Sequence, residues 1–413
     1  MTDFFDIGII GGGPAGYTAA LHASSQGKKV ILFEKEHIGG VCLNRGCIPT
    51  KSILHASEIY KEIKNSEDFG ISVNNIELDY SKVIERKNKT IEKLRKGIEL
   101  ALKNSKVTVI NSEAKILSRN EIIDNTGSSY NCNKIIYAAG STPKIINGLE
   151  FDHEFLLSSD DILELTNLPE SILIIGSGAI GTEWARIFSN FGVETTVIEL
   201  AKHLLPAADI ETSKRVERIF KSSGIKFYTE TSVEKIENKK VVLSNGNTVE
   251  PEIVLVATGR TPNKTDKIDG VTYIGDAAGE IQLAHYAIKQ AIENICNIEF
   301  RKDLVPCVVY GTPEIAWVGK KEQELENQEY KKSLVLLSSL GKAHCDNKTD
   351  GFIKILEQNK KIIGAHIVAP EASSLIQQII IAMQNNISVE KFKEICFAHP
   401  TYSEGIFEAL FKL

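Results

Sequence analysis

Two cysteines five positions apart are the strongest candidates for chemistry in this chain. They lie in the thirteen-residue segment 39–51, GGVCLNRGCIPTK, as Cys42 and Cys47. On a regular helix such positions are too far apart for a disulfide, whose Cα atoms lie roughly 4.4–6.8 Å apart. Gly46 and Pro49 allow the chain to bend and close that gap. A disulfide beside a bound cofactor stores two electrons, so the segment predicts a redox site.

Length and composition limit the class of protein. The 413 residues are 42% hydrophobic, and no apolar run reaches the ~20 residues of a membrane span. The acidic first residues lead into a strand and are not expected to form a signal peptide. A net charge of −6 argues against nucleic acid or an anionic membrane as the main partner.

Cysteine usage indicates a reducing compartment. Seven cysteines are present without the spacing of a disulfide framework, which predicts a cytoplasmic protein with one special pair. The other five are expected to be core residues: Cys132, Cys296, Cys307, Cys345 and Cys396.

A strand–turn–helix–strand pattern occurs twice. In the first copy, strand 6–10 leads into GGGPAG (11–16), a helix through residue 25, and a strand that ends at Glu34. In the second, strand 171–175 leads into GSGAIG (176–181), a helix through residue 188, and a strand that ends at Glu199. Each acidic residue follows the third glycine by 18 positions. Two such copies predict two dinucleotide-binding units.

The three glycines of each turn have different physical tasks. The first makes a tight turn, the second lets the backbone approach a pyrophosphate, and the third lets helix and strand pack closely. The helix N-terminus then offers free N–H groups to the phosphates. Glu34 and Glu199 are predicted to bind ribose hydroxyls. Glu199 would repel a 2′-phosphate and no arginine follows it closely, which favours NAD over NADP.

Each copy closes with a matching segment after another strand. Ala139-Gly140-Ser141 follows strand 134–136, and Ala257-Thr258-Gly259 follows strand 253–256. The first copy spans 129 residues between its opening and closing glycines, and the second spans 83. The extra length contains the cysteine pair and an amphipathic helix near residues 80–103. The first site is therefore predicted to hold the cofactor that works with the disulfide.

Over nearly its whole length, the chain resembles the flavin-dependent pyridine nucleotide–disulfide oxidoreductases. Its cysteine segment is most similar to the form found in dihydrolipoamide dehydrogenases. Residues 274–276 (IGD) match the second flavin-binding motif, and 283–285 (LAH) follow at the usual distance. Residues 398–404 (AHPTYSE) match the catalytic His-Pro-Thr segment, and residues 305–319, 351–355 and 363–367 resemble the dimerisation domain.

The resemblance implies an α/β fold with two Rossmann-like dinucleotide-binding domains, for FAD and NAD, and a C-terminal α+β dimerisation domain. The expected boundaries are 1–143 for the FAD-binding domain with its redox segment, 144–265 for the NAD-binding domain, 266–300 for a return to the FAD-binding domain, and 301–413 for the dimerisation domain. A homodimer is implied.

The resemblance also implies roles at matching positions. Cys42 is the exchange thiol and Cys47 is the thiolate that faces the flavin. Lys51 lies near the flavin ring and pairs with Glu183. His399, oriented by Glu404, is the general base, and it completes the active site of the other subunit. Histidine's ordinary pKa of about 6.5 suits that task.

The implied cofactor contacts form two sets, and no metal site is expected. Those for FAD are Gly11, Gly13, Pro14, Ala15, Gly16, Glu34, Lys35, Gly40, Val41, Cys42, Lys51, Ala114, Ala139, Gly140, Ser141, Gly275, Asp276, Leu283, Ala284 and His285. Those for NAD are Gly176, Gly178, Ile180, Gly181, Glu199 and Gly259.

The leading functional prediction is an NAD-dependent dihydrolipoyl dehydrogenase. Its partner would be a lipoyl-bearing protein of a 2-oxo acid dehydrogenase complex or of the glycine cleavage system. Two alternatives stay open: an NAD(P)H-dependent reductase of another disulfide, like glutathione reductase, and a flavoprotein subunit without turnover. The intact cysteines, His399 and Glu404 argue against the second alternative.

Three features depart from the family pattern or leave a choice open. Only eleven residues separate Asn263 from Gly275, and the segment 226–248 is short for the usual β-meander. Both are expected to affect how the NAD-binding domain packs. Arg45, between the cysteines, could lower a cysteine pKa or face solvent.

Overall fold

A computed structural model of the chain describes residues 4–413. The strands, in chain order, are β1 (Phe4–Ile10), β2 (Val30–Glu34), β3 (Thr108–Asn111), β4 (Ala114–Ser118), β5 (Glu121–Asp124), β6 (Ser129–Tyr137), β7 (Ser141–Pro143), β8 (Leu156–Leu157), β9 (Ser171–Ile175), β10 (Glu194–Ile198), β11 (Lys226–Tyr228), β12 (Val233–Glu237), β13 (Lys240–Leu243), β14 (Thr248–Val249), β15 (Ile253–Val256), β16 (Arg260–Pro262), β17 (Val271–Tyr273), β18 (Cys307–Val309), β19 (Glu314–Gly319), β20 (Lys331–Leu336), β21 (Phe352–Gln358) and β22 (Lys361–Ala369).

The α-helices are α1 (Pro14–Ser25), α2 (Gly40–Arg45), α3 (Cys47–Lys64), α4 (Tyr80–Asn104), α5 (Ala179–Phe191), α6 (Ile210–Ser222), α7 (Ala284–Cys296), α8 (Gly341–Cys345), α9 (Ala372–Gln384), α10 (Val389–Lys393) and α11 (Glu404–Phe411). None of the helices described is long and apolar enough to span a bilayer.

The first glycine turn follows the central strand of a mostly parallel sheet. The strand order is β3-β2-β1-β6-β5-β4, and β17 also pairs with β6. The pairs of β1 with β2 and with β6 are parallel, and the isoleucines of β1 are buried. Because ligands of open α/β sheets bind at the carboxyl ends of the strands, this sheet places the turn at a binding crevice.

The second glycine turn occupies the same position in a smaller sheet. Its order is β11-β10-β9-β15-β8, and every pair is parallel. Helix α5 is buried along nearly its whole length. It lies between this sheet and α3, the helix that carries the second cysteine. The second copy therefore packs directly against the redox segment.

The third sheet is antiparallel, in the order β18-β19-β22-β21-β20. Helix α9 packs on β19 and β22, while α11 packs on β20 and β21. One mostly parallel and one fully parallel sheet with helices, followed by this α+β unit, confirm the predicted fold class.

The segment between the second copy's helix and its closing strand is short, as the sequence indicated. A three-stranded antiparallel sheet, β12-β13-β14, forms there, so the meander is short but present. Hairpin turns at 238–239 and 245–247 are enough to close it. Strands β7 and β16 pair across the two copies and link the closing segments.

Element ends differ slightly from the sequence expectation. Helix α1 begins at Pro14, inside the predicted glycine turn, because proline fits the first helical turn. Helix α5 continues past Phe188 to Phe191, where Gly192 adopts φ +90° and ends it.

Candidate active site

Gly46 divides the redox segment into two helices. It adopts φ −151° and ψ −111°, between α2, which carries Cys42, and α3, which begins at Cys47. This break lets the two side chains meet: the cysteines are reduced and share a hydrogen bond. The predicted bend at Gly46 is therefore present.

The two thiols have opposite electrostatic character. The hydrogen bond from Cys42 lowers the pKa of Cys47 to about 7, against burial, and Lys51 lowers it further. The same bond and burial raise the pKa of Cys42. Cys47 is thus the more acidic thiol of the pair. Tyr17 lies near both cysteines. Burial first, and then the charges of the two cysteines, raise the pKa of its phenol.

A partly buried ion pair lies next to Cys47. Lys51 Nζ donates to both carboxylate oxygens of Glu183, at 2.9 and 2.7 Å. Glu183 also accepts from the Tyr310 backbone N–H at 3.0 Å, and Lys51 Nζ lies 4.6 Å from the Tyr310 ring centroid. Although burial opposes it, this pairing raises the pKa of Lys51, so the ammonium stays charged beside the thiolate.

Both glycine turns leave room for a phosphate. A Cβ on Gly16 or Gly181 would overlap the carbonyl oxygen of the turn's first glycine, so the third position is closely packed. A Cβ on Gly13 would meet only the Gly40 Cα at 3.8 Å, and one on Gly178 nothing within 4 Å. Helices α1 and α5 have no side-chain cap and no acidic residue in their first turns. Their N–H groups are therefore available to the pyrophosphate of a dinucleotide.

The acidic residues at the end of β2 and just after β10 bind the backbone of the two glycine turns in the same way. Glu34 accepts from the N–H groups of Gly12 at 2.7 Å and Glu36 at 2.8 Å. Glu199 accepts from the N–H groups of Ser177 at 2.9 Å and Ala201 at 2.8 Å, and also from the Ser177 hydroxyl at 2.7 Å. Each carboxylate stands at the turn where a ribose would bind.

The redox segment is attached directly to the first turn. Gly39 N–H donates to the Gly12 carbonyl oxygen at 2.9 Å. A Cβ on Gly40 would lie 2.6 Å from the Gly13 Cα, so only glycine allows this close approach. Val41 follows in α2. Cys42 therefore lies only two residues beyond Gly40, the residue that contacts the first turn.

The closing segments and the second flavin motif meet in one network. Ser141 Oγ donates to Asp276 at 2.6 Å. Arg260 binds the Ser141 hydroxyl at 3.0 Å and carbonyl oxygen at 2.9 Å, and Asp160 at 2.8 Å. Gly275 packs with the first turn, since a Cβ there would lie 3.3 Å from the Ala15 Cβ.

His399 and Glu404 form a surface pair. The His399 Nδ1 and Glu404 Oε1 atoms are 2.7 Å apart, and Glu404 Oε2 accepts from the Thr401 N–H at 2.8 Å. The His399 side chain is 76% exposed. Such a histidine, held by a carboxylate and open on its Nε2 side, suits a proton acceptor that faces another subunit.

The remaining predicted cofactor contacts are distributed over several elements. Lys35 is exposed just after β2, and Ala114 is buried at the start of β4. Leu283 caps α7, Ala284 begins it, and His285 contacts the Pro306 carbonyl oxygen through Nε2 at 2.9 Å. Gly140 and Gly259 both have positive φ and open space at the Cβ position, and Ile180 lies in the first turn of α5.

Two sequence expectations on charge and cysteines are decided by these contacts. Arg45 pairs with Glu36 and lies 3.9 Å from Asp160, and it is not among the groups that shift the cysteine pKa values. The expectation of buried bystander cysteines holds for Cys132 but is wrong for Cys345 and Cys396, which are exposed.

Comparison with protein families decides the relationship. Residues 5–291 match the model described as pyridine nucleotide-disulphide oxidoreductase, and residues 305–410 match the dimerisation domain of the same name. The chain belongs to the pyridine nucleotide–disulphide oxidoreductases. FAD and NAD are the cofactors of this oxidoreductase.

Relatives with assigned names align with almost the whole of this chain. A dihydrolipoyl dehydrogenase of Chlamydia pneumoniae is 35% identical over 98% of this chain and 96% of its own length. One of Mycoplasma pneumoniae is 32% identical over 97% of each. A leghemoglobin reductase of Vigna unguiculata is 34% identical over 99% of this chain and 87% of its own length.

Solved structures show the same fold. LpdA of Mycobacterium tuberculosis superposes with a TM-score of 0.90 at 23% identity, over 98% of this chain and 99% of its own. The HOCl-induced flavoprotein disulfide reductase RclA of Escherichia coli gives 0.87 at 22% identity, over 98% and 99%. At these identities the likeness concerns the fold alone.

Three residues of the oxidoreductase site were not predicted. Tyr310 supports Glu183 through its backbone, which leaves no signal in side-chain type. Arg260 follows Gly259 in the closing segment, and that adjacency could have suggested a role. Ser177, the middle residue of the second turn, could have been singled out because its hydroxyl can bind Glu199.

Proposed function

We propose that this protein is an NAD-dependent dihydrolipoyl dehydrogenase that oxidises protein-bound dihydrolipoamide. The observation that carries the proposal is the hydrogen-bonded pair of Cys42 and Cys47 with the Lys51–Glu183 ion pair beside it. Relatives named dihydrolipoyl dehydrogenase align over nearly the whole chain. Both observations favour a dithiol substrate.

The residues would act in a balanced sequence of thiol exchange. A substrate thiolate attacks Cys42 in the Cys42–Cys47 disulfide, which forms a mixed disulfide and releases Cys47 as a thiolate. The second substrate thiol gives its proton to His399 and attacks the substrate sulfur bound to Cys42. Cys42 then leaves as the thiol, with that proton, and the substrate leaves as a cyclic disulfide. Glu404 stabilises the imidazolium between these steps.

FAD, when bound, would supply the acceptor for two electrons from the reduced cysteine pair and the hydride donor for NAD⁺. The residues that would hold FAD are those of the first turn, Glu34, the start of α2 and the Ser141–Asp276 pair. Those for NAD are the second turn and Glu199. Lys51 would keep the Cys47 thiolate charged next to the flavin.

The proposal extends to organisation and setting. The chain would divide at the boundaries 1–143, 144–265, 266–300 and 301–413, with β17 returning to the first sheet. A homodimer would bring His399 of the partner subunit to the cysteines. The substrate would be a lipoyl-bearing protein of a 2-oxo acid dehydrogenase complex or the glycine cleavage system, in the cytoplasm.

A subunit-mixing experiment tests the shared site. Cys42→Ser and His399→Gln are each expected to reduce NADH formation by about 10²–10⁴-fold. When the two variants are unfolded together and reassociated, half of the dimers carry both variants and each has one intact site. About a quarter of the parent activity should therefore return.

The matched control is His153→Gln, which alters another exposed histidine paired with a carboxylate. It should keep full activity. If mixing restores nothing although dimers form, His399 does not act on the partner's cysteines. If the parent forms no NADH with dihydrolipoamide but its flavin is reduced by NADH, the substrate is a different disulfide.

A further inference from the structure

Arg186 is a buried cation whose presence the redox site does not explain. It lies on α5, one turn after Glu183, and is 5% exposed. Its Nη1 donates to the Pro313 carbonyl oxygen at 2.6 Å. Among residues 4–413, its Nε and Nη2 have no hydrogen-bond partner. Burying a guanidinium with unpaired donors is unfavourable, so its presence calls for a function.

The segment 310–313 is shaped around this guanidinium. Gly311 adopts φ +140°, in a region that favours glycine. A Cβ on Gly311 would overlap Arg186 Nη1 and lie 2.8 Å from Arg186 Cδ. Arg186 and Gly311 therefore fit each other, and neither can change without disturbing the other.

The same segment holds the ion pair beside Cys47. Tyr310 donates its backbone N–H to Glu183, and its ring lies against the Lys51 ammonium. At the other end, Thr312 Oγ1 donates to Glu58 of α3 at 2.7 Å. Arg186 thus anchors a short bridge whose first residue contacts both members of the ion pair.

We propose that Arg186 is a positioning residue for the thiolate: it fixes segment 310–313 and balances Glu183, so that the charge of Lys51 stays available to Cys47. The inference rests on the proposed function only in taking Cys47 as the working thiolate.

The charged and titratable groups around Cys47 determine the sign of the effect. They are Cys42, Lys51, Glu183, Tyr17 and Tyr310. Arg186 itself faces Glu58 and Glu183. The pKa of Lys61 is lowered mainly by burial and further by the charge of Arg186. Without Arg186, one positive charge is lost near Glu183. The Tyr310 N–H also loosens, so Glu183 draws Lys51 away from the thiolate. Both changes disfavour the charged form of Cys47.

Site-resolved alkylation measures this directly. The dithiothreitol-reduced holoenzyme is treated with iodoacetamide from pH 5 to 10, and labelling of Cys47 is separated from that of Cys42 by peptide mass. Arg186→Met should move the Cys47 midpoint upward by roughly half to one pH unit, because losing a positive charge near Glu183 and tightening the hold of Glu183 on Lys51 both disfavour the thiolate. Arg186→Lys should restore most of the shift.

Gly311→Ala supplies an independent route to the same change, because it displaces Arg186 without removing it. It should raise the midpoint in the parent but add little in the Arg186→Met background. Arg215→Met, which removes an α6 arginine paired with Asp350, is the control and should leave the midpoint unchanged.

An unchanged or lower midpoint in folded Arg186→Met protein overturns the proposal. If that variant does not fold, Gly311→Ala decides alone: an upward shift supports the proposal and an unchanged midpoint overturns it. Because the measurement uses no lipoyl substrate, its result is independent of dihydrolipoamide oxidation, which tests the proposed function separately.

Discussion

The two dinucleotide-binding copies share one backbone design but use the chain after the acidic residue differently. In both, that chain returns to the glycine turn: Gly39 N–H donates to the Gly12 carbonyl oxygen at 2.9 Å, and Leu205 N–H donates to the Ser177 carbonyl oxygen at 3.2 Å. Both returning residues have positive φ, +100° and +51°.

The copies diverge immediately after this return. After Gly39, a second glycine allows α2 to approach the turn and bring the cysteines with it. In the second copy the returning residue is Leu205, which is buried, and the chain continues to Asp209, the cap of α6. The same turn thus supports chemistry where glycines allow close approach, and binding alone where a buried leucine fills the space.

The largest effect is expected when the cysteine pair, which only the first copy carries, is removed. Cys47→Ser should reduce NADH formation at least about a thousandfold, because no second sulfur can close the disulfide. The long-wavelength absorbance that a Cys47 thiolate facing the flavin would produce in the reduced protein should disappear, while NADH binding persists. Cys345→Ser, at an exposed cysteine, is the control. Retained activity in Cys47→Ser would show that the pair is not the electron store.

Matched glycine substitutions should separate the two copies. In Gly16→Ala and Gly181→Ala, the new Cβ overlaps the carbonyl oxygen of the first glycine, and such overpacking costs about 1–3 kcal/mol or more. Gly16→Ala should lose bound flavin, measured by its visible absorbance per chain. Gly181→Ala should keep flavin and raise KM for NAD⁺. Loss of flavin in both would contradict separate roles.

The first copy should also show a distinct pH dependence. The pKa of Cys47 is lowered to about 7 by its hydrogen bond with Cys42, so the thiolate fraction rises as pH increases through about 7. Alkylation of Cys47 should increase about tenfold between pH 6 and 8. Bystander Cys132, whose pKa burial raises to about 11, should stay unreactive over this range. Equal profiles for the two residues would contradict the thiolate assignment.

The smallest effect is expected from a substitution that makes the two glycine turns more alike. Ser177→Gly gives the second turn the residue type of Gly12, and it removes the hydroxyl that binds Glu199 and accepts from the Leu205 N–H at 3.1 Å. Losing about 0.5–1.5 kcal/mol of hydrogen bonding should raise KM for NAD⁺ by a few-fold. The flavin spectrum serves as the control, and a change there would mean that the turn supports both sites.

Much of this design was predictable because it rests on local patterns. The buried runs of β1 and β9, the glycine turns and the acid offset follow from short-range sterics, and so does the break at Gly46. The contacts around Glu183 were not predictable in the same way. Arg186 and Pro313 are 127 positions apart, and Tyr310 acts through its backbone, so neither residue type nor spacing identifies them. The meander also forms although its segment is short, because two tight turns are enough to let its three strands pair.

Dihydrolipoamide oxidation by the purified parent tests the central claim most directly. NADH formation from NAD⁺ and dihydrolipoamide is followed beside the same reaction with NADP⁺ and beside NADPH- and NADH-dependent reduction of oxidised glutathione. We expect rapid NADH formation with dihydrolipoamide and little activity in the other reactions. A flavin that NADH reduces, without any oxidation of dihydrolipoamide, would contradict the proposed substrate while leaving the path from nicotinamide to flavin intact.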